Sequence, residues 1–203
     1  MSIRKQIEQI FGGKAFNRPL FYSFPLGLRF DFVKGDEFLG KFLFSLEKGL
    51  EICRTIFEPS EVLVLCIRFQ GRKNLTSHIS TIRSLNKLGL WRGFQKEHWL
   101  ETQKDPEGIN HCFHQIAFRL PVALVHIPLW CAFSADLAIS PRADVEIRLF
   151  DLQRQILVFP YDDRGMDVIS WDRDFLIRLW DRFPQDISEY DRRRIQKALG
   201  RNA

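Results

Sequence analysis

The run EVLVLCIRF, from Glu61 to Phe69, limits the possible folds of this chain more than any other stretch. Its apolar residues follow one another without alternation, and its length and β-branched content are typical of a strand that is covered on both faces. Such a strand lies at the centre of a sheet. The chain is 45% hydrophobic, with 19 Phe and 5 Trp, which is enough apolar surface for a well-buried core. At 203 residues we expect one domain, 1–203.

The sequence before this run predicts a helix, a strand and a second helix. Isoleucines at positions 3, 7 and 10 recur at helical spacing. The stretch LGLRFDFV, which begins at Leu26, alternates apolar residues with polar or small ones, as does a strand with one buried face. Asp36 is suited to cap a helix that continues to about Phe57 and ends before Pro59.

The middle of the chain is the least regular part. Residues 76–88 carry apolar side chains at helical spacing, and we expect residues 90–108 to form a surface loop with bulky aromatic residues. Beyond this loop we expect a strand near Pro121. A short helix is expected between Pro128 and Ile139.

The C-terminal part predicts three strands followed by two helices. VEIRLFDL alternates cleanly, and QILVFPYDDRGMDVIS reads as two strands joined at DDRG, so the three form an antiparallel meander. The helices are expected at 172–183 and from Ile187 or Ser188 to Leu199. The whole pattern predicts an α+β fold with one mixed, mainly antiparallel sheet, a C-terminal hairpin meander, and helices packed mainly on one face.

Export signals and membrane spans are not expected. The opening MSIRKQIEQIFGG lacks the unbroken apolar stretch of a secretory signal. The most apolar segment, 120–139, is interrupted by Pro121 and Pro128. We therefore expect a soluble, cytoplasmic protein.

We expect neither a cofactor nor a bound metal. The four cysteines are widely spaced among apolar neighbours, which favours reduced, buried thiols over a metal site or disulfides. His111 and His114 lie three positions apart and would point to opposite faces of a strand, which argues against their binding one ion.

The stretch YDDRGMDVI concentrates charge in an apolar region and is the first candidate site. It contains Tyr161, Asp162, Asp163, Arg164 and Asp167. Its three carboxylates suit a divalent metal or acid–base chemistry, but no further ligand motif accompanies them. An Asp–Gly turn explains the same residues, because Asp bonds its own backbone and Gly tolerates turn dihedrals. A third interpretation is an acidic grip on a partner's Lys or Arg.

The basic middle of the chain is the second candidate. Between residues 68 and 104, eight basic side chains accompany only two acidic ones, in a chain whose formal net charge is +5. Arg72, Lys73, Trp91 and Arg92 combine cations with aromatic rings, as in surfaces that follow a phosphate backbone and stack on bases. The same residues suit contact with an acidic protein. The alternative is a solvated loop whose tryptophans turn into the core.

Several stretches resemble a known bacterial family. YDDRGMDVI, a following helix with Leu176 and Leu179, and EYDRRRIQKAL are similar to the C-terminal part of domain of unknown function 3885. RPLFYSFPLGLRFDF resembles its opening part, so the resemblance covers roughly the first sixty and the last fifty residues, while 72–108 departs from the pattern. The resemblance implies a bacterial origin and an α+β fold, and assigns no catalytic residue. Proteins of this sort are sometimes encoded among toxin and immunity modules, which implies immunity by association.

Three functions follow as hypotheses. The first is a non-enzymatic protein-binding module, an immunity protein that neutralises a cognate toxin of the contact-dependent inhibition or polymorphic type. The alternative is an RNA- or DNA-binding module that uses region 68–104, and a carboxylate-metal hydrolase using Asp162, Asp163 and Asp167 is the least favoured. Since the chain is basic, an immunity protein of this composition uses its acidic C-terminal hairpin or opposes a toxin that is not a basic nuclease.

Overall fold

The computed structural model describes residues 1–32, 37–104, 107–135, 137 and 139–201. Asp36, the expected helix cap, lies outside the described residues. The strands of the described ranges are Gly27–Asp31 (β1), Val62–Gln70 (β2), Glu97–Lys104 (β3), Asn110–Pro121 (β4), Glu146–Asp151 (β5), Ile156–Asp162 (β6) and Gly165–Ser170 (β7). The α-helices are Ile3–Phe11 (α1), Phe38–Phe57 (α2), Ile79–Lys87 (α3), His126–Ser134 (α4), Arg173–Arg182 (α5) and Arg192–Ala198 (α6).

All seven strands belong to one sheet with the order β1-β7-β6-β5-β2-β4-β3. Every pairing in it is antiparallel, so the sheet is not mixed. The C-terminal meander β5-β6-β7 is confirmed, and β1 pairs with β7 from the far side. The expected α+β class with a single sheet is therefore confirmed.

Strand β2 is the central, doubly covered strand that its sequence predicted. It pairs with β4 on one side and β5 on the other, and residues 63–69 are all buried. Leu65 and Ile67 belong to the larger hydrophobic cluster, whereas Val64 and Cys66 belong to the cluster on the opposite face. The continuous apolar run reflects this burial on both sides, since successive side chains of a strand point to opposite faces.

The helices lie mainly on one face of the sheet, as expected. Buried side chains of α2, α3, α4, α5 and α6 all contribute to the larger cluster. On the other face, α1 packs through Ile3, Ile7 and Phe11 together with Phe16 and the strand residue Phe150. The sheet thus has a thick helical layer on one side and a thinner cover, made by the N-terminal residues, on the other.

Two local expectations were wrong. Part of the expected loop 90–108 is strand β3, an edge strand whose residues alternate between half-buried and exposed. Its partial exposure explains the polar sequence EHWLETQK, which lacks the apolar face of an interior strand. The last helix begins at Arg192 rather than at Ile187 or Ser188. Ile187 instead forms a bridge to Phe30, and the Ser188 N–H donates to the Arg29 carbonyl, so this segment covers the edge of β1.

Membrane-spanning character and cysteine state were also expectations from the sequence. Within the described ranges, no helix combines the length and the apolar character that crossing a membrane requires.

Cys53, Cys66 and Cys131 are buried, Cys112 is half-buried, and all four are free thiols. Burial raises the pKa of Cys66 and of Cys131 to about 12, which keeps both thiols protonated at neutral pH.

Candidate functional site

A cleft opens where two neighbouring strands of the sheet part. β5 and β6 pair only through Leu149–Asp151 and Ile156–Val158, whereas β6 continues to pair with β7 as far as Asp162. Pro160 lies in the parted portion of β6 and has no N–H to offer a neighbouring strand. The opening, which we call the sheet cleft, has a volume of about 800 Å³.

The walls of the sheet cleft come from both sides of the gap. Glu146, at the start of β5, faces the lining residues of β6, which include Phe159, Tyr161 and Asp162. Arg18 and Arg68 also belong to the polar part of the lining, which contains four arginines and four carboxylates in all. Because the lining also includes members of both hydrophobic clusters, the cleft lies in the plane of the sheet rather than on one face.

One carboxylate in the sheet cleft is surrounded by three guanidinium groups. Glu146 accepts hydrogen bonds from Arg68 Nη1, 3.1 Å from each of its oxygens, and from Arg148 Nη1 at 2.8 Å. Arg18 Nε is 3.2 Å from Glu146 Oε1. Arg148 and Arg68 are 1% and 4% exposed, while Arg18 is 55% exposed. These four residues, which we call the Glu146 cluster, therefore place three positive charges around one negative charge. Two of the three positive charges, those of Arg68 and Arg148, are buried.

The Glu146 cluster shifts the titration of its own members. Burial raises the pKa of Glu146, but the charges of Arg148, Arg68 and Arg18 outweigh it and hold that pKa below its usual range. Burial lowers the pKa of Arg148, and the charge of Arg68 acts in the same direction against the attraction of Glu146. The excess of positive charge itself follows from the count of three guanidinium groups to one carboxylate.

Aromatic rings and amides support the buried arginines. The Arg68 guanidinium lies 3.6 Å from the Phe113 ring centroid, and that of Arg148 lies 4.4 Å from the centroid of Phe159. Arg68 Nη2 also donates to Gln103 Oε1 at 2.7 Å. Within the described part of the chain, Nε of Arg68 and Nε of Arg148 are buried without a hydrogen-bond partner. Such unsatisfied donors are unusual in a folded interior and mark the cluster as a functional candidate.

A second buried ion pair contributes to the lining of the cleft. Arg29 donates to Asp167 through Nε at 2.9 Å and through Nη2 at 3.3 Å, and its Nη1 donates to Asp191 at 3.2 Å. Tyr22 donates its hydroxyl to Asp191 at 2.9 Å, and the Phe21 N–H donates to Asp167 at 3.1 Å. The carboxylates more than balance the cation here, so this network is structural.

The stretch YDDRGMDVI forms the turn that its Asp and Gly residues suggested. Asp162 accepts hydrogen bonds from the backbone N–H and the guanidinium of Arg164, and the Asp163 carbonyl accepts one from Ser45. Gly165 lies against the Phe30 carbonyl so closely that a Cβ would overlap with it.

Most of the predicted residues of this stretch reach the sheet cleft. Tyr161, Asp162, Arg164 and Asp167 are all among the lining residues. Burial, followed by the negative charge of Asp167, raises the pKa of Tyr161, so its hydroxyl stays protonated. Among the described residues, no group of three or more His, Cys, Asp or Glu side chains is placed to hold a metal ion.

The cations and the aromatic rings of the predicted basic middle differ in their exposure. Arg72, Lys73 and Arg92 are exposed, but the aromatic residues near them turn inward. Trp91 is half-buried against the larger cluster. Phe94 stacks on Phe118 at 4.7 Å between ring centroids.

Trp99 and Lys96, which belong to the same region, are also engaged in the fold. Trp99 packs edge-on against Phe16. Lys96 lies over the Trp91 ring at 5.1 Å and donates to the Phe94 carbonyl, and burial lowers its pKa. The rings of this region therefore contact other side chains of the fold.

The histidines pair with each other and with the backbone. His114 is buried, and its Nδ1 lies 2.9 Å from His98 Nε2, while its Nε2 lies 2.6 Å from the Arg72 carbonyl oxygen. His111 Nδ1 lies 2.8 Å from Gln70 Nε2. Burial, together with the nearby His114, lowers the pKa of His98.

Sequence reasoning missed Arg18, Glu146 and Arg148, although one signal was available. Glu146 and Arg148 are two positions apart in VEIRLFDL and therefore share a face of the strand with the apolar Phe150. A charged pair on the apolar face of a strand indicates a buried polar contact. Arg18 lies outside the predicted elements, and nothing in its neighbourhood indicates that it reaches β5.

Comparisons with known proteins place the whole arrangement in one family. The model of a family described as Domain of unknown function (DUF3885) matches residues 3–191. The match includes the middle region that the resemblance had left out and ends before α6. No curated protein and no solved structure gives a significant match. The residues of the sheet cleft all fall inside the matched range.

Proposed function

This chain belongs to the family described as Domain of unknown function (DUF3885), and we propose that it is a non-catalytic module that binds a partner protein in the sheet cleft. The partner we propose is a bacterial toxin, which the module neutralises in the cytoplasm by covering the toxin's functional surface. The observation that carries the proposal is the parting of β5 and β6 around the Glu146 cluster. A sheet that opens at a defined place offers strand edges to a second chain, and this is a recurring mode of protein recognition.

The state of the carboxylates supports binding over catalysis. Asp162 is held by Arg164, and Asp167 is held by Arg29 and by a backbone N–H. A metal-dependent hydrolase needs carboxylate oxygens that are directed at an ion, whereas these oxygens are directed at cations of the chain itself. The hydrolase hypothesis is therefore not retained.

The engagement of the aromatic residues favours a protein partner over a nucleic acid. Single-stranded nucleic acid binds to basic grooves in which aromatic faces are open to stack on bases. Here Phe94 stacks on Phe118, and Trp91 is covered by Lys96. The exposed cations Arg72, Lys73 and Arg92 remain as the features that favour the alternative.

Co-expression with a candidate toxin tests the proposal. The chain is produced together with the C-terminal region of the protein encoded by the adjacent upstream gene, and growth and co-purification are measured. We expect rescue of growth and a stable complex. If the neighbour is toxic and the chain neither rescues growth nor associates with it, the proposal is overturned.

Charge-reversal variants locate the binding face in the same assay. Arg18→Glu changes the sheet cleft, and Lys73→Glu changes the exposed basic region as a matched control. We expect Arg18→Glu to abolish rescue and Lys73→Glu to preserve it. The opposite pattern would assign binding to the basic region and reject the cleft.

A further inference from the structure

We propose that the sheet cleft contains a carboxylate-binding site in which Arg18, with Arg68 and Arg148 behind it, binds an acidic side chain of an extended peptide segment. This inference rests on the proposed function, since it names the chemistry of the segment that the cleft receives.

The Glu146 cluster has an excess of positive charge. Its three guanidinium groups have one carboxylate among them, and two of the three are almost fully buried. Buried charges are normally paired, because an uncompensated charge in a low-dielectric interior is unfavourable. A second anion next to Arg18 and Arg68 would balance half of the excess.

Hydrogen-bond donors of Arg18 are available at the mouth of the cleft. Arg18 pairs with Glu146 through Nε, and within the described residues its two Nη groups have no hydrogen-bond partner and are left for a ligand. The Arg18 side chain is 55% exposed. A guanidinium with two such groups matches the two oxygens of a carboxylate. The Arg18 guanidinium also lies over the Phe159 ring, 5.4 Å from its centroid, which holds it at the β6 wall of the cleft.

The remaining walls of the cleft carry cations as well as the carboxylates of Asp144, Asp162 and Glu146. A continuous phosphate backbone places many charges in the cleft and would be repelled by these carboxylates. An extended peptide with one acidic side chain places a single charge at Arg18. The remainder of the peptide is then neutral backbone, which the carboxylates of the walls do not repel. The walls therefore favour a peptide carboxylate over nucleic-acid phosphates.

The experiment compares two short peptides by isothermal titration calorimetry at low ionic strength. One is acetyl-Val-Thr-Glu-Val-Thr-amide, and the other has glutamine in place of glutamate. We expect the glutamate peptide to bind roughly tenfold more tightly, the ratio that corresponds to about 1.4 kcal/mol. Sodium phosphate and a single-stranded oligonucleotide are titrated at the same ionic strength. We expect both to compete with the glutamate peptide only weakly.

Variants test whether the preference comes from the Glu146 cluster. Arg18→Gln should remove the difference between the two peptides, and Arg18→Lys should restore only part of it, because lysine keeps the charge without the two-pronged geometry. Arg4→Gln is the matched control, since Arg4 is a similarly exposed arginine paired with Glu8 outside the cleft. Glu146→Gln should tighten binding of the glutamate peptide, because it removes the competing carboxylate. Circular dichroism confirms that each variant is folded.

Each alternative outcome contradicts the inference. Equal binding of the two peptides, or no binding of either, would overturn it, as would a preference that survives Arg18→Gln. Stronger binding of the oligonucleotide would assign the site to phosphates. If the chain rescues cells from the toxin but shows no glutamate preference, the proposed function stands and this inference fails. If the chain shows the glutamate preference but does not rescue cells, the carboxylate-binding site stands and the proposed toxin partner is rejected.

Discussion

Gly165 occupies a place in the fold where only a hydrogen fits. A Cβ at this position would overlap with the Phe30 carbonyl and lie 2.5 Å from Tyr161 Oη. The glycine of DDRG is thus required by the contact between β7 and β1 as well as by the turn. Sequence reasoning correctly identified the turn but had no means of identifying the strand packed against it, because Phe30 lies far away in the chain.

Replacing this glycine should destabilise the protein without touching the Glu146 cluster. We expect Gly165→Ala to lower the free energy of unfolding by roughly 1–3 kcal/mol, the usual cost of overpacking. Gly13→Ala is the control, because nothing lies within 4 Å of a Cβ at that position. Urea denaturation of both variants measures the difference. Equal stability of Gly165→Ala and the parent chain would show that β1 can move away from the turn.

Glu146 makes the stability of the fold depend on pH. Its folded-state pKa is held below the ordinary value of 4.5 by Arg148, Arg68 and Arg18. A carboxylate with a lowered folded-state pKa contributes stability above its unfolded-state pKa, and this contribution disappears as the pH falls through the folded-state pKa. The Glu146 contribution should therefore be complete at neutral pH and be lost progressively below about pH 4.5.

Glu146→Gln should separate this contribution from that of the other carboxylates. We expect the variant to be less stable at pH 7 by about 1.5–3 kcal/mol, the range for hydrogen bonds to charged groups. The difference from the parent chain should shrink below pH 4.5. Urea denaturation at a series of pH values measures it, and a difference that stays constant down to pH 3 would contradict the assigned role.

Strand β3 shows what an element-level interpretation of sequence can miss. EHWLETQK has no apolar face, yet it forms the edge of the sheet next to β4. Its half-buried side chains are held by specific contacts, such as that of Gln115 Nε2, which donates to Glu101 at 2.8 Å. Hydrophobic periodicity predicted β2, α2 and the meander because their burial is continuous or one-sided. It could not predict an element held by individual polar contacts to distant residues.

One of these contacts joins β3 to α1. Glu97 accepts hydrogen bonds from the backbone N–H groups of Ile3 at 2.6 Å and Arg4 at 3.1 Å, in the first turn of α1. Those N–H groups have no partner inside the helix, and an anion near a helix N-terminus is favourable. We expect Glu97→Ala to lower the free energy of unfolding by about 0.5–2 kcal/mol, as for loss of a helix cap.

Hydrogen exchange locates the effect of Glu97→Ala. Exchange should accelerate at the amides of α1 and remain unchanged in β2. Glu8→Ala is the control, because Glu8 is an exposed residue of α1 that pairs with Arg4 on the helix surface. Uniform acceleration throughout the sheet would mean that α1 does not open separately from the rest.

At the scale of the whole molecule, the two hydrophobic clusters share one sheet. β2, β5, β6 and β7 each contribute side chains to both clusters, so neither can lose its packing without exposing the other. The fold class could be predicted because it depends on the order and type of elements. The sheet cleft could not be predicted, because it depends on where the pairing of β5 and β6 stops. The hydrophobic pattern of neither strand marks this point.

The shared sheet predicts a single unfolding transition. We expect the calorimetric and van't Hoff enthalpies of thermal unfolding to agree, as they do for one cooperative unit. Tryptophan fluorescence and far-ultraviolet circular dichroism should give the same midpoint, because the tryptophans are distributed over the strands, loops and helices. Two separate midpoints would show that the N-terminal cover and the helical layer unfold independently, and would argue against one domain.

The pairing of β1 with β7 also determines when a nascent chain can complete its sheet. Gly27 pairs with Ile169 and Asp31 pairs with Gly165. Strand β1 is synthesised early during translation and cannot pair until β7 has been synthesised. Until β7 leaves the ribosome, Leu28 and Phe30 lack the neighbours that bury them in the finished sheet. Contacts between such distant residues slow folding and leave apolar strands open to association with other chains. Synthesis of this protein should therefore depend on chaperones more strongly than synthesis of a helical bundle of equal length.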